Sequence, residues 1–211
     1  MQSKRMDSNW ATGHLQTIRT LMERSAVYRR ALAPVMLSSG AIGVAAAIVP
    51  CFRPIQGNFG FAAFWMMVGV LALGVAYFLV RRQALRDREP FWSPPTRRIT
   101  EALLPGFIAG CAVGVFLIVF HQKLGVATWH CSVAWIILYG SALNAAGFFT
   151  PRGIGLFGRT LVLLGCALLF AYYLVPGDVT VAAHYVMGSV FGVLHLLYGF
   201  YLYFSERKRR V

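Results

Sequence analysis

The sequence contains few acidic residues and few charges of any kind. Only 7 of its 211 residues are Asp or Glu, against 20 Lys and Arg, and charged residues make up 13% of the chain. Soluble domains average about 25% charged and about 45–50% apolar residues, whereas this chain is 58% hydrophobic. The composition excludes a disordered chain, a collagen-like repeat, a disulfide-stapled mini-protein and an ordinary soluble enzyme, and it indicates an integral membrane protein.

The long apolar runs also lack charged side chains. They contain no Asp, Glu, Lys or Arg, and an intramembrane carboxylate is a common requirement of proton-driven transport. Metalloprotease, serine-nucleophile and phosphate-loop motifs are missing as well. The four cysteines show no metal-binding spacing, although Cys51 and Cys131 lie at span ends and a disulfide between them is one alternative. We therefore expect a protein that is not an enzyme.

Six apolar segments are long enough to cross a bilayer. A transmembrane helix needs roughly 20 apolar residues to cross about 30 Å of hydrocarbon, and segments of this length in lipid are helical because the backbone must satisfy its own hydrogen bonds. The spans lie at about 31–50, 60–80, 102–120, 129–149, 160–175 and 181–204. The sequence thus predicts an all-α polytopic bundle of six transmembrane helices.

The basic residues predict the orientation of these spans. If the N-terminus is cytoplasmic, 18 of the 20 Lys and Arg lie on the cytoplasmic side, and only Arg53 and Lys123 lie outside. This distribution follows the positive-inside rule and predicts a multi-pass membrane protein with both termini in the cytoplasm. The net charge of +13 then reflects attraction to anionic lipid head groups, and we expect no nucleic-acid partner.

Three segments lie outside the predicted spans. Residues 1–30 form a basic cytoplasmic segment whose part 13–30 carries an apolar stripe, which predicts an amphipathic helix in the membrane interface, or else a solvated helix packed on the spans. In the connection 81–101, prolines predict extended backbone, with the next helix beginning at Thr96 or Thr100. Residues 205–211 form a basic cytoplasmic tail.

Small residues recur at helical spacing in three of the predicted spans. Because lipid removes most of the hydrophobic drive between helices, close packing of small residues takes its place. The candidates are Gly106, Gly110 and Gly114 in the third span, Gly188 and Gly192 in the sixth, and Ser39, Gly43 and Ala47 in the first. They predict close helix contacts within one chain, with a homodimer face as the alternative.

Two polar residues stand out inside the predicted spans. Asn144 and His195 fall at similar depth in the fourth and sixth spans, which would allow a hydrogen bond between them. Polar residues at such depth are costly and therefore candidate functional residues. The simpler interpretation is that they hold helices together, and the other is that they form a ligand or proton site.

Three further histidines lie near one end of the predicted bundle. His121 ends the third span, while His130 and His184 begin the fourth and sixth. Three imidazoles can bind zinc or copper, and a pair can hold haem. Interface histidines that face water or head groups are the more common case, so no cofactor is the primary expectation and a haem or metal is the alternative.

Four stretches of the chain have distinctive sequences: LQTIRTLMERS at 15–25, FWSPPTRR at 91–98 leading into ALLPGFIAG, WIILYGSAL at 135–143 and FGVLHLLYGF at 191–200. Together they resemble a family of small six-span bacterial inner-membrane proteins with no assigned activity. The resemblance implies a six-span fold and supplies no catalytic residue. Because His195 and Tyr139 fall in matching segments, Tyr139 joins the candidate intramembrane polar site.

The sequence favours a non-enzymatic membrane protein that is an accessory, assembly or regulatory component. It would act through helix packing and a basic cytoplasmic face, with a protein partner or a second copy of itself. The first alternative is a small transporter or channel with a polar path near Asn144 and His195. The second is a haem- or metal-binding protein that uses the histidines at the outer side.

Overall fold

The computed structural model describes residues 31–88, 90–120, 128–150, 152–174 and 179–207, which form helices and short connections without any strand. In chain order the helices are α1 (Ala31–Phe52), α2 (Gly57–Arg86), α3 (Pro94–Phe120), α4 (Thr128–Ala146), α5 (Arg152–Ala171), α6 (Val179–Met187) and α7 (His195–Arg207). A 3₁₀ turn, Tyr172–Leu174, follows α5, and a π-helical segment, Gly188–Leu194, joins α6 to α7. The all-helical class that the sequence predicts is confirmed for these residues.

Five helical stretches in the described part of the chain are long and apolar enough to cross a membrane. They are α1, α2, α3, α5 and the continuous stretch Val179–Ser205, called here the last span, which runs from α6 through the π-helical segment into α7. Helix α4 is not among them. It has ten buried residues among its 19, whereas α2 has four among 30, so α4 lies at the centre of the bundle while α2 presents most of its surface to the surroundings.

Helix α1 and the last span run antiparallel and touch along their small residues. A methyl group added at Gly43 would lie 2.5 Å from the carbonyl oxygen of Phe191, and one added at Gly192 would lie 2.7 Å from the backbone nitrogen of Val44. These distances are too short for any side chain, so the two backbones approach directly. The first and last described helices of the chain are therefore neighbours.

Helices α4 and α5 also cross through glycines. A methyl group at Gly140 would lie 2.8 Å from the Gly158 carbonyl oxygen, and one at Gly158 would lie 2.6 Å from the Gly140 carbonyl oxygen. Gly147 and Gly155 meet in the same way nearer the connection. Close approach gives the large van der Waals contact on which helix association in lipid depends.

The antiparallel contacts divide the charges between the two ends of the bundle. One end of the bundle, which we call the basic end, contains the first residues of α1, α3 and α5. It also contains the last residues of α2, α4 and α7. The arginines in the described ranges that lie there are Arg81, Arg82, Arg86, Arg88, Arg97, Arg98, Arg152, Arg159 and Arg207. The opposite end carries Arg53 within the same ranges.

Helix α3 begins earlier than the sequence predicts, and α2 begins at a glycine with a left-handed backbone. Helix α3 begins at Pro94 and not at Thr96 or Thr100, because a proline in the first turn lacks only an amide that would have no helical partner. Gly57 begins α2 with a φ of 73°, a left-handed conformation that glycine adopts without steric cost. The predicted amphipathic helix in 1–30 and the basic tail after Arg207 lie outside the described residues.

Candidate functional site

His195 is the most deeply buried of the three residues predicted to form the intramembrane polar site. It begins α7, is 1% exposed and lies among aromatic rings. The ring centroids of Phe157 and Phe191 are 5.1 and 5.9 Å from that of the imidazole. Its Nε2 is 2.9 Å from the Tyr139 hydroxyl of α4, and its Nδ1 is 2.9 Å from the carbonyl oxygen of Val190. The structure thus joins two of the three candidate residues across two helices.

The contacts of His195 define its protonation state and tautomer. A carbonyl oxygen only accepts hydrogen bonds, so Nδ1 carries the hydrogen that it donates to Val190. A charged imidazole is costly at this depth, so Nε2 has no hydrogen and accepts the bond from the Tyr139 hydroxyl. His195 is therefore a neutral imidazole in which both nitrogens are used.

The Val190 carbonyl that His195 binds belongs to the π-helical segment. The backbone amide of His195 bonds to the Gly192 carbonyl, and its side chain bonds to Val190, five residues earlier. The amide and the imidazole of His195 therefore bond to two different carbonyl groups of the same segment. Short π-helical segments are rare and occur often at functional sites. The hydrogen bond from His195 to Val190 stabilises this irregular part of the last span.

Asn144, the third candidate, lies at the crossing of α4 and α5. Its backbone nitrogen lies against Gly158, and its side chain is partly buried. The two ring nitrogens of His195 bind Tyr139 and Val190, so Asn144 is the partner of neither. The hydrogen bond between Asn144 and His195 is therefore not formed, and Tyr139, five residues earlier on α4, takes that place.

A second buried histidine lies near the opposite end of the bundle. The indole Nε1–H of Trp65 donates to His184 Nδ1 at 3.0 Å, and His184 Nε2 lies 3.3 Å from the carbonyl oxygen of Ile55. His184 is 3% exposed, and the Phe61 ring contacts it edge-on at 4.8 Å. Because Nδ1 accepts, the hydrogen of neutral His184 lies on Nε2, which is the tautomer opposite to that of His195.

Another predicted metal or haem candidate, His130, has different aromatic neighbours from His184. The His130 ring lies tilted against Tyr172, with ring centroids 4.6 Å apart, and its buried Nδ1 has no hydrogen-bond partner. His121 lies outside the described residues. Among the residues that the structure describes, no three His, Cys, Asp or Glu side chains are grouped as metal ligands would be. Cys51 is exposed, Cys131 is buried, and both are free thiols.

The predicted packing glycines lie at helix contacts within the chain. A methyl group at Gly106 would lie 2.7 Å from Ala142 Cβ, and one at Gly114 would lie 3.1 Å from Trp135 Cζ2. Gly110 leaves more room, since the nearest atom to an added methyl is Trp135 Cδ1 at 3.7 Å. Gly188 lies against Ala47 of α1, and Gly192 lies against Val44 of the same helix.

Three tryptophans tie helices together, and the sequence analysis did not single them out. Besides Trp65, the indole of Trp129 donates to the Leu168 carbonyl at 2.8 Å, and the indole of Trp135 donates to the Gly110 carbonyl at 2.9 Å. A buried indole N–H needs an acceptor, so tryptophan in the middle of an apolar segment is a signal that could have identified these residues. Each bond joins two different helices.

One cavity, of about 280 Å³, lies at the opposite end of the bundle. It is bounded by the end of α1, the connection before α2 and the start of α6, and its polar lining comes from Cys51, Gln56, Thr180, His184 and Tyr185. Neither Asn144 nor His195 lines this cavity. The polar pair at His195 is instead enclosed by apolar and aromatic side chains.

The hydrogen bonds that the two buried histidines and the three tryptophans form with groups on other helices can hold the helices in register. A scan of protein-family models and searches of curated proteins and of solved structures found no match to this chain. The resemblance to small six-span inner-membrane proteins therefore remains a prediction from the four quoted segments.

Proposed function

We propose that this chain is a six-span protein of a bacterial inner membrane with both termini in the cytoplasm. The sixth span in this proposal is α4, whose Trp, Ser, Tyr and Asn residues lower its hydropathy. A central helix needs less apolar surface than a lipid-facing one, because its neighbours and not lipid surround it. The accumulation of arginine at one end supports the orientation through the positive-inside rule.

Within that membrane, the protein acts as a non-enzymatic accessory, assembly or regulatory component. The observation that carries this proposal is the use of the polar groups in the interior: the indoles of Trp65, Trp129 and Trp135 and the Tyr139–His195 pair all bond one helix to another. Groups used in this way stabilise a fixed arrangement. The basic end and the apolar helix faces are surfaces that suit lipid and a partner protein.

We expect Cys51 to react with a membrane-impermeant maleimide in intact spheroplasts. Its thiol is exposed beside Arg53 at the opposite end of the bundle, which this proposal puts outside the cytoplasm. Maleimides react with water-accessible thiolates, so buried Cys131 and lipid-facing Cys111 and Cys166 should react far more slowly. The measurement is a gel shift with a maleimide-linked polyethylene glycol.

A matched variant reports the other side of the membrane. Ser205→Cys, in a chain whose native cysteines are replaced by alanine, lies near the end of the last span. It should be labelled in inverted vesicles and not in spheroplasts. Labelling of Cys51 and of this variant from the same side would contradict the six-span arrangement, and labelling of each from the reversed side would contradict the orientation.

We expect the gently solubilised chain to co-purify with a membrane protein in a fixed ratio. An accessory component acts by binding, so the complex should survive mild detergent and give one peak whose mass exceeds that of the 23.3 kDa chain and its micelle. Size-exclusion chromatography with light scattering measures that mass. A chain that purifies alone and conducts ions or protons across liposomes would contradict this role and support the transport alternative.

A further inference from the structure

The cavity at the end of the bundle opposite the basic end has a hydrogen-bond donor in its wall. His184 lines this cavity, and the indole N–H of Trp65 donates to Nδ1 of its imidazole at 3.0 Å. In the neutral imidazole, Nε2 then carries the hydrogen. The rings of Phe61 and Phe64 pack edge-on against the imidazole, with centroids 4.8 and 6.0 Å away. Side chains of α2 therefore fix both the tautomer and the orientation of this N–H donor.

The acceptor that the chain supplies to this donor lies at a long distance. The carbonyl oxygen of Ile55 is 3.3 Å from His184 Nε2, whereas N–H···O bonds in proteins centre on about 2.9–3.0 Å. Ile55 lines the cavity as well, so the donor and its acceptor both border the open volume. An oxygen atom inside the cavity can therefore share the N–H with the Ile55 carbonyl in a bifurcated hydrogen bond.

The lining of the cavity suits a small ligand without net charge. Among the described residues that line it, none is Lys, Arg, Asp or Glu, and alanine, proline, isoleucine and valine form its apolar part. Its volume of about 280 Å³ is just below the range of about 300–1,000 Å³ that is typical of drug-sized ligands. The cavity therefore has room for one ring with small substituents.

The cavity lies where a molecule dissolved in lipid can reach it. It borders the last residues of α1 and the first residues of α6, which are the ends of two membrane-length helical stretches. Val181 and Tyr185 line it and are 49% and 57% exposed, and exposed tyrosine favours the boundary between hydrocarbon and head groups. With these helices inserted in a membrane, the cavity opens at that boundary.

We propose that this cavity binds the ring of a membrane-dissolved quinone. A quinone is neutral and soluble in lipid, and its carbonyl oxygens accept hydrogen bonds. One of these oxygens accepts from the Nε2–H of His184, and the ring lies against the apolar part of the wall. The proposal concerns binding alone and goes beyond the accessory role. It requires the membrane insertion proposed above but neither the orientation nor a protein partner.

The test measures protection of Cys51, whose exposed thiol lines the same cavity. The full chain, with its other cysteines replaced by alanine, is purified in a neutral detergent, and its alkylation by N-ethylmaleimide is followed by mass spectrometry. The probe is tetramethylbenzoquinone, in which methyl groups block the ring positions that thiols attack. We expect it to slow alkylation about tenfold at about ten times its half-saturating concentration, because only unoccupied protein reacts.

Two control compounds identify the chemistry that is recognised. Tetramethylbenzene has the same ring and methyl groups without a carbonyl, and triacetin has neutral ester carbonyls, as glycerolipids do, without a ring. Both should leave the rate of alkylation nearly unchanged. Equal protection by tetramethylbenzene would overturn a carbonyl ligand, equal protection by triacetin would overturn a quinone in favour of an ester, and no protection by any compound would overturn the site.

These outcomes are separate from those of the labelling in spheroplasts and inverted vesicles. Protection is a change of rate in detergent, where both ends of the bundle are accessible to the reagent. A chain that fails to bind the quinone would keep its pattern of sidedness, and a chain with reversed sidedness would still show protection.

Nitrogen NMR of the same chain identifies the donor without any substitution of a histidine. The Nε2 signal of His184 should shift when tetramethylbenzoquinone saturates the protein. The signals of His195, which does not line the cavity, should stay in place and are the internal control. A His184 signal that stays unchanged while Cys51 is protected would overturn the assignment of the donor.

A pair of variants measures the contribution of this donor. His184→Phe keeps an aromatic ring and removes the N–H, so it should weaken tetramethylbenzoquinone binding by on the order of tenfold, which corresponds to about one hydrogen bond. His130→Phe is the matched control, since His130 also packs against aromatic rings but does not line the cavity, and it should bind as the native chain does. Equal affinity of the two variants, each shown to be folded by its thermal unfolding, would contradict the proposal.

Discussion

Gly158→Ala is expected to destabilise the folded bundle by about 3 kcal/mol, near the upper range of overpacking effects. The added methyl would lie 2.6 Å from the Gly140 carbonyl oxygen and 2.9 Å from the Leu143 carbonyl carbon, and it would press on the backbone nitrogen of Asn144. These are backbone atoms of α4, which cannot rotate away as a flexible side chain can. The two helices must separate, and thermal unfolding in detergent measures the loss.

Gly74→Ala on α2 is the matched control for this change. No atom lies within 4 Å of a methyl group added there, so the same chemical change meets no neighbour. Alanine is the better helix former by roughly 0.5–1 kcal/mol in soluble helices, so this variant should be as stable as the native chain or more so. If the two variants unfold alike, the close crossing of α4 and α5 is not the source of stability that the structure indicates.

His195→Ala is expected to cost about 3 kcal/mol, which combines a lost side-chain volume with two lost hydrogen bonds. Removal of the imidazole leaves a gap between Phe157 and Phe191, leaves the Tyr139 hydroxyl without its acceptor and frees the Val190 carbonyl. Tyr139→Phe removes only one of these bonds and should cost about 0.6 kcal/mol, the average for such bonds in a membrane. Unfolding of both variants in detergent gives the comparison.

A nitrogen NMR measurement tests the cause independently of stability. Native His195 should show a protonated Nδ1 and an unprotonated Nε2, and the Nε2 signal should shift in Tyr139→Phe because its donor is lost. His184 should show the reverse assignment in the same sample. A His195 with hydrogen on both nitrogens, or one unaffected by the Tyr139 change, would contradict the proposed bond.

The helical class of this fold follows from the sequence because hydropathy and length alone determine where helices can exist in lipid. Hydropathy and length also predict a helix at the position of α4. Its polar residues nevertheless lower its mean hydropathy, so α4 is not among the helices that are apolar enough to cross a membrane. Its ten buried residues explain the difference. A helix that is enclosed by others is under less pressure to be apolar on every side.

The pairing within the candidate site was less predictable. Depth along a helix is readable from residue number, and it would allow Asn144 and His195 to meet. Depth does not reveal which faces of two helices point at each other, and the π-helical segment changes the angular spacing just before His195. For that reason Tyr139, not Asn144, is the residue that reaches the imidazole. The indole hydrogen bonds are not predicted by hydropathy, because hydropathy treats tryptophan as apolar and ignores its N–H donor.

The contact between α1 and the last span has a consequence for biosynthesis. Spans leave the ribosome in order, so Gly43 cannot contact Gly192 until the last span enters the membrane. Trp65 and Tyr139 likewise cannot form their hydrogen bonds to the two histidines of that span before then. Until then the nascent bundle exposes grooves and unpaired donors to lipid. A prematurely terminated chain would keep these features, which gives membrane quality control a physical means to distinguish a truncated product from a finished one.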